Sequence, residues 1–334
     1  MEITIHPNLT IHKYHDREGP PPNSWSAKRA KESLSRLLPD TPIRLLNEQE
    51  ASYGDLHHVT QLLAGRVDKP LLERMPLLQW VQFPGSGKDH FFAASGLLES
   101  DFEHRGVEVI NSPGVNSVAT AEHVIAMALA LVRGVPRAVR QQDEGRWCTF
   151  SAVELRGKTL GIIGLGAIGE RVAKLARAFE MTVVASKRTF NTHGGHAHIV
   201  QPPSCNEEII ASADFVVLCA PSTPDTASMF DEAMFRRMKP SAYFINVSRG
   251  ANVVDIDLFN ALEEGEIAGA AVDTFGPNTD SESDQPEALH ESSPLWGCSN
   301  LLIMPNNAAA SDRYMDYFAE SVAHQYIGRK VGGS

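Results

Sequence analysis

Residues 164–169 read Gly-Leu-Gly-Ala-Ile-Gly, and the apolar run Thr159 to Ile163 stands directly before them. After them, Ile168, Val172, Leu175, Ala176 and Phe179 fall on one face of a helix. A G-x-G-x-x-G hexapeptide alone carries little weight, but between a strand and an amphipathic helix each glycine has a task. Gly164 permits the tight turn, Gly166 lets the backbone approach a pyrophosphate, and Gly169 lets helix and strand pack closely. The amides at the helix start, including those of Ala167 and Ile168, then face the negative charge.

The pattern around the motif extends this reading. Apolar strand candidates recur at Thr159 to Ile163, Met181 to Ala185, Asp214 to Cys219, Ala242 to Asn246, Ile267 to Val272 and Leu301 to Met304. Strands alternating with helix-length segments imply parallel pairing and right-handed crossovers. Ahead of them, prolines break residues 1–113 into short apolar runs, among them Ile43 to Leu46, Leu77 to Phe83 and Val107 to Ile110, which suit a second, smaller α/β domain. Ala119 to Arg133 and about Ala308 to Gly328 read as helices, and Pro277 to Pro294 as an exposed loop rich in Ser, Asp, Glu and Pro.

Selectivity between dinucleotides is read at the end of the second strand. An NAD site usually places Asp or Glu about 20 residues beyond the glycine motif, on the ribose hydroxyls. Here Ser186, Lys187, Arg188 and Thr189 stand in that region. Two cations and two hydroxyls suit a dianionic 2′-phosphate, so the expected cofactor is NADP(H). Ala220 and Pro221, after the strand ending at Cys219, and Val247 and Ser248, after the strand ending at Asn246, complete the candidate cofactor-binding set.

Composition excludes other classes. The 334 residues carry 41 acidic and 30 basic side chains, a formal net charge of −11, which argues against a nucleic-acid binder. The apolar run Val124 to Val132 is too short to span a bilayer, so no membrane partner is expected. MEITIHPNLT has no signal-peptide core, and Cys148, Cys205, Cys219 and Cys298 form no CxxC pair. The expectation is a soluble cytoplasmic protein with reduced thiols and no metal. His193-Gly-Gly-His-Ala-His198 reads as a polar loop rather than a metal site.

The chain resembles the D-isomer-specific 2-hydroxyacid dehydrogenases, of the glyoxylate/hydroxypyruvate reductase kind. The resemblance lies in LLQWVQFPGSGKD (77–89), GVEVINSPGVNSVATAEH (106–123), GKTLGIIGLGAIGERVAKLARAFEM (157–181), MKPSAYFINVSRGANVVD (238–255), GEIAGAAVDTF (265–275) and SPLWGCSNLLIMP (293–305). It implies two Rossmann-like domains with doubly wound parallel sheets and a cleft between them. Residues 1–113 plus 305–334 would form a discontinuous substrate domain, and residues 114–304 the dinucleotide-binding domain. A homodimer is implied as well. Arg249 would bind the substrate carboxylate and carbonyl oxygen, a task suited to a planar guanidinium. Backbone amides of Gly85, Ser86 and Gly87 would hold the carboxylate's other side, with Lys88 beside them. Asp273 would accept a hydrogen bond from the nicotinamide carboxamide.

Two positions depart from the family. A Glu five residues beyond the Asp of the DVF-like motif is replaced by Asn278, and a His after the Pro that ends the last strand by Asn306. The His donates a proton to the carbonyl oxygen and the Glu raises its pKa. Losing a general acid costs about 10²–10⁴ in rate. Three readings stay open. The chain is an NADPH-dependent oxidoreductase that reduces a 2-oxo acid, or a related small anionic substrate, to the D-2-hydroxy acid with an atypical donor such as Lys88, His90, a water or a residue of 277–294. It is alternatively an imine reductase acting on a carboxylate-bearing cationic imine, or a catalytically lapsed NADP(H)-binding regulatory protein.

Overall fold

Among the described residues the paired strands are parallel, and the central strands Phe215–Leu218 and Gly269–Val272 are apolar and buried on both faces, as a sheet covered on both sides by helices requires. The computed structural model describes residues 2–9, 26–189, 195–276 and 287–332. The chain divides into two units, Met1–Asn116 with Ala310–Ser334, and Ser117–Ala309.

The first unit holds a five-stranded sheet of Ile3–Ile5 (β1), Ile43–Leu45 (β2), Gln61–Leu63 (β3), Trp80–Gln82 (β4) and Glu108–Ile110 (β5), in the order β2-β1-β3-β4-β5. Its core gathers Leu62, Val81, Phe83, Phe91 and Phe102, with the Phe83 and Phe91 rings stacked at 4.7 Å. The helices Ala27–Leu37 and Tyr314–Gly332 pack together, and Arg29 grips Asp316 through both carboxylate oxygens at 2.9 and 2.7 Å. The last helix therefore belongs to this unit, although it lies at the opposite end of the chain.

The second unit holds seven strands: Thr159–Ile163 (β6), Thr182–Ser186 (β7), Ile199–Gln201 (β8), Phe215–Leu218 (β9), Tyr243–Asn246 (β10), Gly269–Val272 (β11) and Leu301–Ile303 (β12). Their order is β12-β11-β10-β9-β6-β7-β8. One face of the sheet packs Val216, Leu218, Phe244, Ala270 and Val272 against Phe230, Phe235, Leu258 and Leu262. The other packs Leu160, Ile162, Val217, Ile245 and Ala271 against Val124, Met127 and Ala128 of the helix Ser117–Val132, and Val172 and Ala176 of the helix Ala167–Ala178. The order reverses between β6 and β9, and such a switch point opens a crevice at the carboxyl ends of the strands.

The fold is α/β with two doubly wound parallel sheets, as the alternation of apolar runs implies. Three strands that the sequence analysis does not single out, β1, β3 and β8, each contain a polar residue, Thr4, Gln61 and Gln201. The chain leaves the second unit after Ala309 rather than after Met304, because the Asp273 carboxylate accepts the amides of Asn307 at 2.8 Å and Ala308 at 3.0 Å and ties that turn down. Among the described residues no single helix is long and apolar enough to cross a membrane.

Candidate functional site

The glycine turn occupies the switch point between β6 and β9. Gly164 has φ +101°, a conformation L side chains rarely adopt, and a Cβ there would lie 2.7 Å from the Ala220 amide nitrogen. A Cβ on Gly169 would lie 2.7 Å from the Gly164 carbonyl oxygen, so helix and turn touch through backbone alone. Gly166 differs: a Cβ there would meet nothing within 4 Å, and this N-cap residue brings no side-chain oxygen to the helix amides. Open space in front of the first turn of the helix Ala167–Ala178 fits a pyrophosphate, whose oxygens would take those amides. Ala220 and Val247 are buried along the same strand ends, where the Val247 amide donates to the Leu218 carbonyl at 3.3 Å.

At the end of β7, Ser186 is buried, Lys187 half-buried, and Arg188 and Thr189 exposed. The Ser186 carbonyl accepts the Leu165 amide at 2.8 Å, so the strand end bearing the two cations is fastened to the glycine turn. Glu170, in the first turn of the same helix, is occupied with residues 195 and 196, accepting the His196 amide at 3.0 Å.

A second cluster forms where β10, β11 and β12 end. Asn246 accepts the amide and hydroxyl of Ser248 at 3.0 and 2.8 Å and donates to the Thr274 carbonyl at 3.2 Å. Asn252 donates to the Ala220 carbonyl and to Ser248 Oγ, both at 3.2 Å. This buried amide network fixes the turn that carries Arg249. The next residue is glycine of necessity, since a Cβ on Gly250 would lie 1.5 Å from the Phe275 carbonyl oxygen. Arg249 donates from Nη1 to the Ser248 carbonyl at 3.0 Å, and its Nε lies 3.7 Å from Oε1 of Glu287.

Glu287 also reaches Asn306, whose Nδ2 donates to Oε2 at 3.4 Å. Asn306 sits in the left-handed region, φ +57°, which asparagine tolerates better than most residues. Its amide donates to Met304, and the two amides that follow it are held by Asp273, so the side chain projects from a fixed turn. Asp273 is only 3% exposed, and its carboxylate serves this turn, with His123 Nε2 3.5 Å away. The nicotinamide contact expected of Asp273 thus falls on oxygens that already accept two amides.

Glu287 is absent from the sequence reading. Counting forward from Asp273 reaches Asn278, which lies outside the described residues. Counting backward from Ser293-Pro294-Leu295-Trp296 would have found Glu287 instead. The segment expected as an exposed loop is buried in part: the Glu287 side chain is 12% exposed, and Leu289 enters the core.

In the first unit, the loop after β4 is pinned by Tyr314, which donates to the Pro84 carbonyl at 2.5 Å, and by Asn111, which donates to the Ser86 carbonyl at 2.6 Å. The Gly85 amide donates to the Phe83 carbonyl at 2.9 Å, so of the three amides expected to meet a carboxylate it is already committed. Ser86 Oγ donates to Asn116 at 3.0 Å, and Gly87 caps the helix Lys88–Ser95 without a side chain. Lys88 pairs with Glu99 at 2.5 Å, both side chains being exposed.

Other candidates resolve into structural roles. Of the histidine loop, His193 lies outside the described residues, while His198 Nδ1 accepts the Val183 amide at 3.0 Å. Among the described residues, no group of three His, Cys, Asp or Glu side chains gathers as metal ligands. Burial pushes the Cys219 thiol up to about 12, so it stays protonated at the end of β9.

Residues 125–308 match the family described as D-isomer specific 2-hydroxyacid dehydrogenase, NAD binding domain. The chain is 30% identical over 330 residues to a glyoxylate reductase of Pyrococcus furiosus, covering 91% of this chain and 93% of that protein. It is similar to the crystal structure of a D-isomer specific 2-hydroxyacid dehydrogenase family protein from Aeromonas salmonicida, with TM-score 0.75, 25% identity and coverage of 100% and 97%. The NADPH-dependent glyoxylate/hydroxypyruvate reductase of Sinorhizobium meliloti, in complex with NADP and sulfate, shares the fold at TM-score 0.74, with 22% identity and coverage of 100% and 96%.

Proposed function

Because the chain belongs to the D-isomer specific 2-hydroxyacid dehydrogenase family, we propose that it is an NADPH-dependent reductase acting at C2 of a small 2-oxo acid or a related carboxylate-bearing substrate. The observation that carries this reading is the meeting of Arg249, Glu287 and Asn306 at the carboxyl ends of the sheet whose β6 end forms the glycine turn. A protein that only sensed a dinucleotide would need the glycine turn but no guanidinium held by a buried amide network.

When bound, the reduced nicotinamide supplies hydride; everything else falls to this chain. Gly164, Gly166 and Gly169, with the amides of Ala167 and Ile168, take the pyrophosphate. Ser186, Lys187, Arg188 and Thr189 take the 2′-phosphate, while Ala220, Pro221, Val247 and Ser248 line the remainder of the cofactor. Arg249 binds the substrate carboxylate through charge-assisted bonds. The Asn306 carboxamide forms a hydrogen bond with the reacting heteroatom, and Glu287 orients Asn306. We assign cofactor binding to the second unit, which also carries Arg249, Glu287 and Asn306. Homodimerisation through the second unit and a cytoplasmic site of action belong to the same reading, and light scattering tests the dimer.

Glyoxylate, pyruvate and hydroxypyruvate are to be supplied with NADPH while its near-ultraviolet absorbance is followed. Arg249→Ala is expected to lower kcat/KM by about 10²–10³, since an anionic substrate loses its charged partner. A variant that keeps near-normal turnover would show that the carboxylate is bound elsewhere.

A further inference from the structure

Glu287 changes what the cluster can accept. Its carboxylate lies 3.7 Å from the Arg249 guanidinium and 3.4 Å from the Asn306 amide, in a side chain only 12% exposed. An incoming 2-oxo acid brings one negative charge, which Arg249 answers. Its carbonyl oxygen then becomes an alkoxide as C2 is reduced, and this oxygen would have to gain a proton beside Asn306. A carboxamide donates a hydrogen bond but holds no proton it can release near neutral pH. The alkoxide would also develop next to a carboxylate of like sign.

A protonated 2-imino acid avoids both difficulties. It is a zwitterion, with a carboxylate on C1 and a cationic nitrogen on C2, and it meets a guanidinium and a carboxylate that are themselves a charge pair. We propose that the preferred substrate is the cationic imine formed when a 2-oxo acid condenses with an amine and loses water, with Glu287 as the counter-charge to its nitrogen. C2 accepts hydride with its electron pair, the π pair of the C=N bond becomes the nitrogen lone pair, and the cofactor leaves oxidised. The product is a neutral amine, and no proton moves in the step. The Asn306 carboxamide oxygen accepts a hydrogen bond from the imine N–H. Glu287 acts before the bond changes: it favours the protonated imine over the neutral one, so its effect falls on KM and kcat/KM more than on kcat.

This inference rests on the proposed NADPH-dependent reduction next to a carboxylate, and its test separates the two. Pyruvate alone, pyruvate with methylamine, and the cyclic imine Δ1-pyrroline-2-carboxylate are compared at one pH with NADPH. The imines are expected to show kcat/KM at least about 10²-fold above pyruvate, the size of one lost general-acid contribution. Glu287→Gln is expected to lower kcat/KM on the imines by about 10²-fold, chiefly through KM, and to raise the rate on pyruvate. A readout without turnover accompanies this: in the presence of NADP+, N-methylalanine should bind more tightly than lactate by calorimetry, and Glu287→Gln should abolish the difference. Pyruvate reduced as fast as its imines would overturn the inference and leave the proposed reductase standing. NADPH consumed with none of the three would overturn both. Should Glu287→Gln fail to fold, the comparison of substrates and of the two ligands on the unaltered protein still decides.

Discussion

Replacing Lys187 and Arg188 together by alanine isolates the charge that should select the cofactor. The two side chains differ in setting: Lys187 is half-buried at the end of β7, whereas Arg188 is exposed. A hydrogen bond to a charged group is worth about 1.5–3 kcal/mol when partly shielded, so Lys187 should contribute near 1.5–2 kcal/mol at the low end of that range. An exposed pair is worth about 0–1 kcal/mol, which bounds Arg188. The sum, about 1.5–3 kcal/mol, corresponds to roughly 10- to 150-fold in Kd for NADPH. NADH lacks the 2′-phosphate and should be almost unaffected. The backbone has little reason to move, because the Lys187 amide still donates to the Gln201 carbonyl at 2.9 Å and the Ser186 carbonyl still accepts Leu165. Titration of each dinucleotide by calorimetry, at low and at high salt, measures the effect. The part due to Arg188 should shrink as salt rises, since exposed charges are screened over about 8 Å at physiological ionic strength. Equal or tighter binding of NADH by the unaltered protein, or a variant weakened equally for both cofactors, would refute the assignment of this strand end to the 2′-phosphate.

Asn306→His places an imidazole beside Glu287 and should raise 2-oxo acid reduction by up to about 10²–10³, with no gain showing that position 306 does not face the reacting atom. Gly250→Ala pushes a Cβ into the Phe275 carbonyl, a backbone obstacle, and should lower stability by about 3 kcal/mol or more together with substrate affinity; an unchanged Tm would contradict the close approach. Burial tends to raise the Asp316 carboxyl, but Arg29 and Ser33 outweigh it and hold it below the usual range, so its stabilisation is present above about pH 4 and is lost as pH falls through the lower, folded value. Asp316→Asn should therefore destabilise the protein to urea at pH 7 and narrow its difference from the parent in acid. A thiol reagent at pH 8 should label exposed Cys148 promptly and leave Cys219 unlabelled without denaturant.

The glycine motif and the long strands were legible because each is a local pattern. Thr159–Ile163 is a continuous apolar run whose two faces are both covered, Gly164 needs its left-handed φ, and Gly169 meets the Gly164 carbonyl five residues away. The strands β1, β3 and β8 were not singled out: Thr4 interrupts β1, and Gln61 and Gln201 stand at one end of β3 and β8, so polar residues break each short run. Arg249 could be singled out from its NVSRG setting, but its supports could not. Asn246 and Asn252 are polar residues in the core, and their value lies in partners 28 and 32 residues away in sequence. Single-sequence reading treats buried asparagines as exceptions, because only the fold shows that their donors are met.

The misplaced acid follows from the same limit. A residue's distance along the chain says where it lies only while the intervening segment has fixed length. What fixes Glu287 is spatial: its carbonyl accepts the Phe275 amide at 3.0 Å, and Leu289 and Leu295 follow it into the core. The loop is closed at its root by that hydrogen bond. Lengthening a closed loop is cheap, about 0.6 kcal/mol for each doubling, so extra residues can enter it without moving the acid. The Phe275–Glu287 hydrogen bond, rather than the count of residues between them, holds the acid beside Arg249 and Asn306. An acid retained beside Asn306 favours a substrate that arrives with its positive charge already in place.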